Sequence, residues 1–177
     1  MEEKEKVITS SGGLAYSGAV RIKLRYGDNK PYKVIEKHNV GTAAFFTFIL
    51  NCIRGYNIPN DRPYYMGLYK DKNCTQRTVN TWFKLSSDSL PVTVSESGPG
   101  GNFSEDKVMA SFTAEIADVY ISGRSFQGIK IVNKDEEEYA RIALDDLVEV
   151  TGKNSNVIID WVIYLGNAKT QEGAVEG

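Results

Sequence analysis

Apolar and polar residues alternate along much of the chain, which is the pattern of strands with one buried face. Residues 19–26, AVRIKLRY, place apolar side chains on one face and basic side chains on the other: Val20, Ile22, Leu24 and Tyr26 against Arg21, Lys23 and Arg25. The turn-forming sequence GDNKP follows at 27–31, and YKVIEK at 32–37 predicts a return strand. We therefore expect a β-hairpin.

Seven further segments are predicted as strands, because each is short and bounded by turn-forming residues. They are YYMGLY (64–69), NTWFKL (80–85), LPVTVSE (90–96), KVMASFTAEIADVYI (107–121), QGIKIVN (127–133), YARIALDDLVEV (139–150) and NVIIDWVIYLG (156–166). In the fourth, the alternation shifts at Ala117, so we expect a β-bulge or bend there, with Val119 and Ile121 continuing the apolar face. The last is apolar except at Asp160, which predicts a central strand and a partly buried carboxylate that needs a partner.

One strongly apolar segment has helical spacing. Between residues 41 and 54 three polar residues fall on one stripe: Thr47, Asn51 and Arg54. Asn39 is the predicted N-cap, and Gly55 is the residue expected to end the helix. The remaining positions are nearly all apolar, so we expect a helix that is buried on most of its surface and plugs one side or end of the sheets. Its expected core residues are Phe45, Phe46, Phe48, Ile49 and Cys52.

These elements predict a mainly β protein: a single β-sandwich, jelly-roll-like, with one buried α-helix packed on the sheets. The length of 177 residues and the absence of an internal repeat favour one domain. We expect this domain over residues 19–167. A flexible N-terminal arm is expected at 1–18 and a flexible C-terminal tail at 168–177.

Composition argues against several classes of protein. A net charge of -2 provides no basic field, so we expect no nucleic-acid partner. No apolar run approaches the roughly 20 residues of a membrane span, and the start MEEKEKVITSSGG lacks the apolar region of a secretory signal. The two cysteines, Cys52 and Cys74, form neither a CxxC pair nor a disulfide framework, which indicates reduced thiols in a protein made in the cytoplasm.

The sequence contains none of the common motifs for nucleotide binding, hydrolysis or metal binding. His38 precedes the predicted helix, and we interpret it as a capping or packing residue, not a catalytic base. The acidic run 134–138, with Asp145 and Asp146, could gather around calcium, but such runs are more often solvated turns. We therefore predict no enzymatic activity, no catalytic residues, no metal site and no cofactor.

Aromatic residues crowd one region of twenty residues and form the candidate interface: Tyr64, Tyr65, Tyr69, Trp82 and Phe83. Their rings could stack on sugars, but the same residues are strand formers with high packing value. Core packing or a subunit interface is the primary interpretation. A carbohydrate-binding β-sandwich module used in host adhesion is the alternative.

The order of these segments resembles a domain found in virion proteins of tailed phages, including crAss-like phages. A hairpin ending in HN, a helix closed by Gly and a YYMGLY-type strand come first. VTVSES, KVMASFTAEIADVYI, YARIALDDLVEV and NVIIDWVIYLGN then follow, similar to the strand series of fibre, collar and head-decoration proteins. The resemblance covers Ala19 to Asn167.

The resemblance implies a non-enzymatic structural subunit of a virion, made in the host cytoplasm. Its implied partners are further copies of itself and other virion proteins of the capsid, tail or fibre. The chain lacks the repetitive shaft and receptor-binding tip of fibre proteins, which favours a short accessory subunit or a base for a larger fibre. We expect assembly through strand edges, since YYMGLY carries no charge to protect it as an edge strand.

Overall fold

The computed structural model describes residues 14–26, 33–39, 41–56, 62–86, 92–94, 103–152 and 155–168. Over these ranges the chain forms nine strands and two helices, and each predicted strand segment contains a strand. In chain order they are β1 (Leu14–Tyr26), β2 (Lys33–Asn39), α1 (Ala43–Ile53), β3 (Tyr65–Tyr69), β4 (Phe83–Lys84), β5 (Val92–Val94), β6 (Phe103–Ile116), α2 (Asp118–Ile121), β7 (Arg124–Val132), β8 (Glu138–Val150) and β9 (Ser155–Ala168). The turn predicted at 27–31 lies outside the described residues.

The strands form two antiparallel sheets that pack as a β-sandwich, which confirms the predicted fold class. Sheet A has the order β2-β1-β9-β6-β5, and sheet B has the order β4-β3-β7-β8. Sequential strand pairs alternate between the sheets: β1 and β2 belong to sheet A, β3 and β4 to sheet B, β5 and β6 to sheet A, and β7 and β8 to sheet B. Strand β9 then pairs with both β1 and β6. The prediction that it is a central strand is confirmed.

The inner faces of the two sheets form one main hydrophobic core. From sheet A it takes alternate residues of β1 and β9, among them Val20, Ile22, Leu24, Val157, Ile159 and Trp161, all almost fully buried. From sheet B it takes Met66, Leu68, Ile129, Ile131, Ile142 and Leu144. The alternation read from the sequence therefore gives the correct inward face of these strands.

The polar residues of sheet A meet on its outer face. Asp160 of β9 accepts a hydrogen bond of 2.8 Å from the Thr113 hydroxyl of β6 and forms an ion pair of 2.9 Å with the Lys23 ammonium of β1. Its side chain is only 14% exposed. The predicted partly buried carboxylate is thus confirmed, and its two partners tie three neighbouring strands together.

Helix α1 begins at Ala43 and is capped by Thr42, so the predicted N-cap, Asn39, is wrong. Asn39 is the last residue of β2, whereas the Thr42 hydroxyl accepts a hydrogen bond from the Phe45 amide at 3.3 Å. The Thr42 amide and hydroxyl also donate to the carbonyls of Tyr139 and Glu138, at 3.0 and 2.8 Å. The cap therefore fixes the helix start to the beginning of β8.

The other end of α1 agrees with the prediction. Gly55 has φ of +78°, and its amide donates to the Cys52 carbonyl, while the Tyr56 amide donates to the Asn51 carbonyl. These two bonds define a Schellman motif, which needs a residue that adopts the left-handed conformation readily. Glycine at position 55 meets that need.

Only one residue of α1, Phe45, is buried, so the expectation of a mostly buried helix is wrong. Phe45 enters the core with ring-centroid distances of 5.2 Å to Trp161 and 5.6 Å to Tyr139. Phe48 and Ile49 are half-buried. Residues 52–56, in and just after the last turn of the helix, are all exposed. Cys52, predicted in the core, is one of them, so that prediction is wrong.

Strand β6 ends at Ile116, and the chain then makes the single helical turn α2 where a bulge or bend was expected. Ile121 is fully buried, as predicted, but Val119 is 81% exposed. A helical turn puts residues two apart on different sides, whereas a strand puts them on the same side. The error at Val119 follows from extending the strand period through the turn.

Strand β1 begins at Leu14 and is paired with β9 from Leu14↔Asn167 onward. Residues 14–18 of the expected N-terminal arm therefore belong to sheet A, while 1–13 lie outside the described residues.

The expectation that YYMGLY forms an unprotected edge strand is also wrong: β3, which contains YMGLY, pairs with β4 on one side and β7 on the other. The outer strands are β2 and β5 in sheet A and β4 and β8 in sheet B. In the described part of the chain, no helix is long and apolar enough to span a membrane.

Phe45→Ala should lower the free energy of unfolding by about 3–5 kcal/mol, because it empties the position between Trp161 and Tyr139. Phe46→Ala is the matched control. Phe46 is already 39% exposed, so this substitution should lower the free energy of unfolding by less than about 2 kcal/mol. Urea denaturation followed by tryptophan fluorescence measures both values. Equal losses for the two variants would contradict the placement of Phe45 as the anchor of the helix.

Candidate functional site

The predicted aromatic interface is divided between the two faces of sheet B. Phe83 lies in the main core, where its ring is 5.8 Å from that of Tyr120. Tyr69 is also buried. Tyr64, Tyr65 and Trp82 are half-buried and form a chain of rings, with centroid distances of 4.6 Å between the tyrosines and 6.3 Å from Tyr65 to Trp82. Three of the five residues therefore remain as candidates for contact with a partner.

The Trp82 indole is held by three intramolecular contacts. The Arg77 guanidinium lies 3.6 Å from the ring centroid, the indole N–H donates to the Glu136 carboxylate at 2.9 Å, and the six-membered ring lies against Gly67. Sugar stacking needs an accessible ring face, and the guanidinium occupies one. This arrangement is that of a packing residue of sheet B.

Two glycines allow the 70–82 segment to lie against the outer face of sheet B. A Cβ atom at Gly67 would lie 2.7 Å from the Trp82 ring, and one at Gly128 would lie 2.4 Å from the Asp71 carbonyl oxygen and 2.6 Å from the Cys74 sulfur. Backbone hydrogen bonds, chiefly from Gln76, hold the pKa of Asp71 below its usual value. Burial raises the pKa of the Cys74 thiol to about 11, so this thiol is protonated at neutral pH. The segment is part of the fold of sheet B.

An ionic group crosses the same face beside Tyr69. Glu138 accepts two hydrogen bonds from Arg141, of 2.7 and 2.9 Å, and lies 3.2 Å from the Lys130 ammonium, which in turn lies 5.2 Å from the Tyr69 ring centroid. Partial burial alone would raise the pKa of Glu138, but the hydrogen bonds and charges of Arg141 and Lys130 outweigh it and lower the pKa. Arg141 also donates to the Asn73 carbonyl at 3.0 Å. The group thus joins β7 and β8 to the 70–82 segment.

The other residues considered for chemistry are dispersed. His38 is an exposed residue of β2, paired with Ala19, and does not cap the helix. The acidic run forms a tight turn around the buried Asn133, whose side-chain oxygen accepts from the amides of Asp135 and Glu137. Within the described residues, no three His, Cys, Asp or Glu side chains are grouped as metal ligands.

A groove of about 560 Å³ lies between the edge strands β2 and β8. Its lining includes the apolar residues Leu24, Ile35, Leu144, Leu147 and Val148 and the charged residues Lys33, Glu36, Lys37, Asp145, Asp146 and Glu149. Strand β8 bulges here, because residues 144–147 lie opposite Gln127 alone. Lys37 and Asp145 form an ion pair of 2.8 Å between the strands, and this contact lowers the pKa of Asp145. The groove thus lies between sheet A and sheet B, and this ion pair crosses it.

Helix α1 has a second apolar face, which sequence analysis did not identify. Phe46, Leu50, Ile53 and Tyr56 are 39%, 58%, 71% and 62% exposed. The first three are spaced by four and three residues, so they lie on one side of the helix. Tyr56, just after Gly55, is the next exposed apolar residue along the chain. We call these four residues the apolar stripe. Exposed apolar residues clustered in this way mark interaction sites more often than isolated ones do.

The comparisons with protein-family models, curated proteins and solved structures give no significant match. The candidate sites therefore depend on the geometry of this chain. Of the features described, the apolar stripe groups the most exposed apolar side chains, although Phe46 within it packs edge-on against Tyr16, with 5.2 Å between the ring centroids. The aromatic cluster of sheet B, by contrast, is engaged by its own cations and by Glu136.

Glu138→Gln should lower the melting temperature at pH 7, because it removes a carboxylate that Arg141 and Lys130 stabilise in the folded state. The folded-state pKa is lower than the unfolded one, so this stabilisation is present at neutral pH and is lost as the pH falls below about 4.3. The difference in melting temperature between the parent and Glu138→Gln should therefore become smaller in acid. Asp146→Asn, which removes an exposed carboxylate of the same strand, is the control. A gap that stays constant from pH 7 to acid would contradict the role assigned to this group.

Proposed function

We propose that the protein is a non-enzymatic structural subunit of a phage virion, such as a head-fibre, decoration, tail or collar component, that acts by self-assembly and by docking on capsid or tail proteins. The order of strands and helix along the chain supports the virion context through its resemblance to tailed-phage proteins. The exposed apolar stripe of α1 supports the assembly role. The stripe is the single observation on which the proposal depends most.

The stripe supports assembly because a monomer gains nothing by exposing it. Each large apolar side chain that passes from water into an interface contributes roughly 1.5–3 kcal/mol when fully buried. Leu50 and Ile53 could instead be polar without disturbing the core, since both are more than half exposed. A partner that covers the stripe gives these residues a role that the isolated fold does not.

Helix α1 replaces strand β3 as the proposed contact, and the edge strands β2 and β8 are less suited to it. Strand β3 is internal, and the edge strand β2 carries charges at Lys33, Glu36 and Lys37. The other edge strand beside it, β8, is interrupted by its bulge at 144–147. Charges and bulges on edge strands both oppose pairing with another sheet. Docking through α1 avoids these obstacles.

The carbohydrate-binding alternative has less support among the described residues, because the best stacking residue, Trp82, is already engaged by Arg77 and Glu136. Isothermal titration with a glycan panel should give no saturable binding to the parent protein. Saturable binding that is lost in both Tyr65→Ala and Trp82→Ala, with the fold intact by circular dichroism, would favour the alternative instead.

The virion role is tested on particles. Mass spectrometry of purified phage should find the protein, and purified protein should rebind particles that lack it. Ile53→Asp should weaken rebinding, because it places a charge in the stripe. Val119→Asp, at the 81% exposed position of α2, should not. Absence of the protein from purified virions, together with failure to rebind, would overturn the proposed function.

A further inference from the structure

We propose that the partner covering the apolar stripe is a second copy of this chain, and that the two α1 helices pair antiparallel about a two-fold axis near Leu50. The inference deepens the proposed function, because it names a partner for the same surface. Four observations support it: the absence of charge on the helix, the extent of the stripe, its symmetry, and the small size of the exposed apolar patch at α2.

The first observation is charge. The eleven residues of α1 contain no charged side chain, and neither its first turn nor its last turn carries a residue that compensates the helix dipole. Two copies can therefore approach without removing a charge from water, which is a major cost of burying a surface. An antiparallel pair also places the positive end of each helix dipole beside the negative end of the other. Arg54 follows the helix and stays at the rim.

The second observation is area. A large side chain covers about 150–250 Å², so with the measured exposed fractions the stripe leaves roughly 400–500 Å² uncovered. A standard interface covers about 800 Å² per partner, with an apolar centre and a polar rim. The stripe provides that centre. The exposed residues beside it, Thr47 and Arg54, provide part of the rim.

The third observation is symmetry. In a two-fold interface the same patch lies on both sides, so the patch must be complementary to itself. Leu50 lies between Phe46 and Ile53 along the helix, at separations of about 6 and 5 Å for a rise of 1.5 Å per residue. In an antiparallel pair centred on Leu50, Phe46 of each copy faces Ile53 of the other. Over Phe46, Leu50 and Ile53 the stripe thus matches a reversed copy of itself in length and in polarity, while Tyr56 lies outside this symmetric part.

The fourth observation concerns an alternative, in which α1 of one copy contacts α2 of the next copy in a head-to-tail arrangement. The two helices lie toward different ends of the sandwich: Phe45 contacts Tyr16 near the start of β1, whereas Asp118 of α2 accepts from the Ser155 amide, opposite Tyr26 at the end of β1. The exposed apolar residues at α2 are Val119 and Tyr120, which expose roughly 200 Å². This patch is about half the area of the stripe and would leave part of it uncovered.

Disulfide trapping tests the pairing. In a Cys52→Ser background, Leu50→Cys places one thiol of each copy at the proposed axis, and Val119→Cys is the matched control at a more exposed position. Cys74 is buried and protonated at neutral pH, so it should not interfere. Under mild oxidation we expect a disulfide-linked dimer from Leu50→Cys and only slow, collisional linkage from Val119→Cys.

Analytical ultracentrifugation provides the second measurement. The parent should associate to a dimer in a concentration-dependent way. Leu50→Asp should raise the dissociation constant roughly a hundredfold or more, because both copies carry the change at the centre of the contact. Val119→Asp should leave the dissociation constant unchanged. Circular dichroism checks the fold of each variant, and Ile53→Asp replaces Leu50→Asp if the latter does not fold.

Three results would overturn the inference. One is a parent that stays monomeric up to roughly millimolar concentration. Another is cross-linking of Leu50→Cys no faster than that of Val119→Cys. The third is a dimer weakened by Val119→Asp as much as by Leu50→Asp, which would favour head-to-tail contact. A protein that rebinds particles through the stripe but does not dimerise would overturn the pairing alone. A protein that dimerises, but is missing from virions and fails to rebind particles, would overturn the proposed virion role alone.

Discussion

The contact between Phe45 and Trp161 fixes the position of α1, and that position decides which apolar residues the fold leaves exposed. Trp161 is fully buried at the middle of β9, the central strand of sheet A, and the Phe45 ring lies 5.2 Å from it. The hydrogen bonds of Thr42 to the start of β8 hold the helix at the same place. Because this anchor is in the first turn, the last turn is left exposed.

Sequence periodicity predicts most strands of this fold because most of them have one buried face. The alternation in β1 gives its inward residues, and the continuous apolar run in β9 identifies a central strand. The order of the strands within each sheet is not predicted in this way. The pattern of β1 or β3 is the same whether the strand has one neighbour or two, since hydrogen-bond partners lie in the plane of the sheet and not on its faces. The edges therefore could not be assigned from the sequence.

The helix shows a second limit of prediction. Phe45 and Phe46 are adjacent in the sequence and identical in type, yet one is buried and the other lies on the apolar stripe. An apolar side chain is expected to be buried, but the sequence does not indicate whether the residues that bury it belong to the same chain or to another. A usable signal was present: Phe46, Leu50 and Ile53 form one stripe with helical spacing, and Phe45 and Phe48 lie on another side. A helix that is apolar on two sides needs two surfaces to cover it, and the sheets provide one.

The aromatic cluster shows the reverse case, in which a suspected surface is used by the fold itself. Gly67 and Gly128 each lack the Cβ atom that would collide with the 70–82 segment, so this segment can lie against sheet B and bring Arg77 over Trp82. Composition alone predicts aromatic rings that are available for stacking. It cannot show that the 70–82 segment approaches Gly67 and Gly128 closely and so engages the Trp82 ring. With that face of sheet B covered, and with charges or a bulge along the neighbouring edges β2 and β8, the apolar stripe is the surface where association would gain most. Because the stripe lacks charge, the association should depend on apolar burial and respond little to salt, unlike contact between charged edge strands.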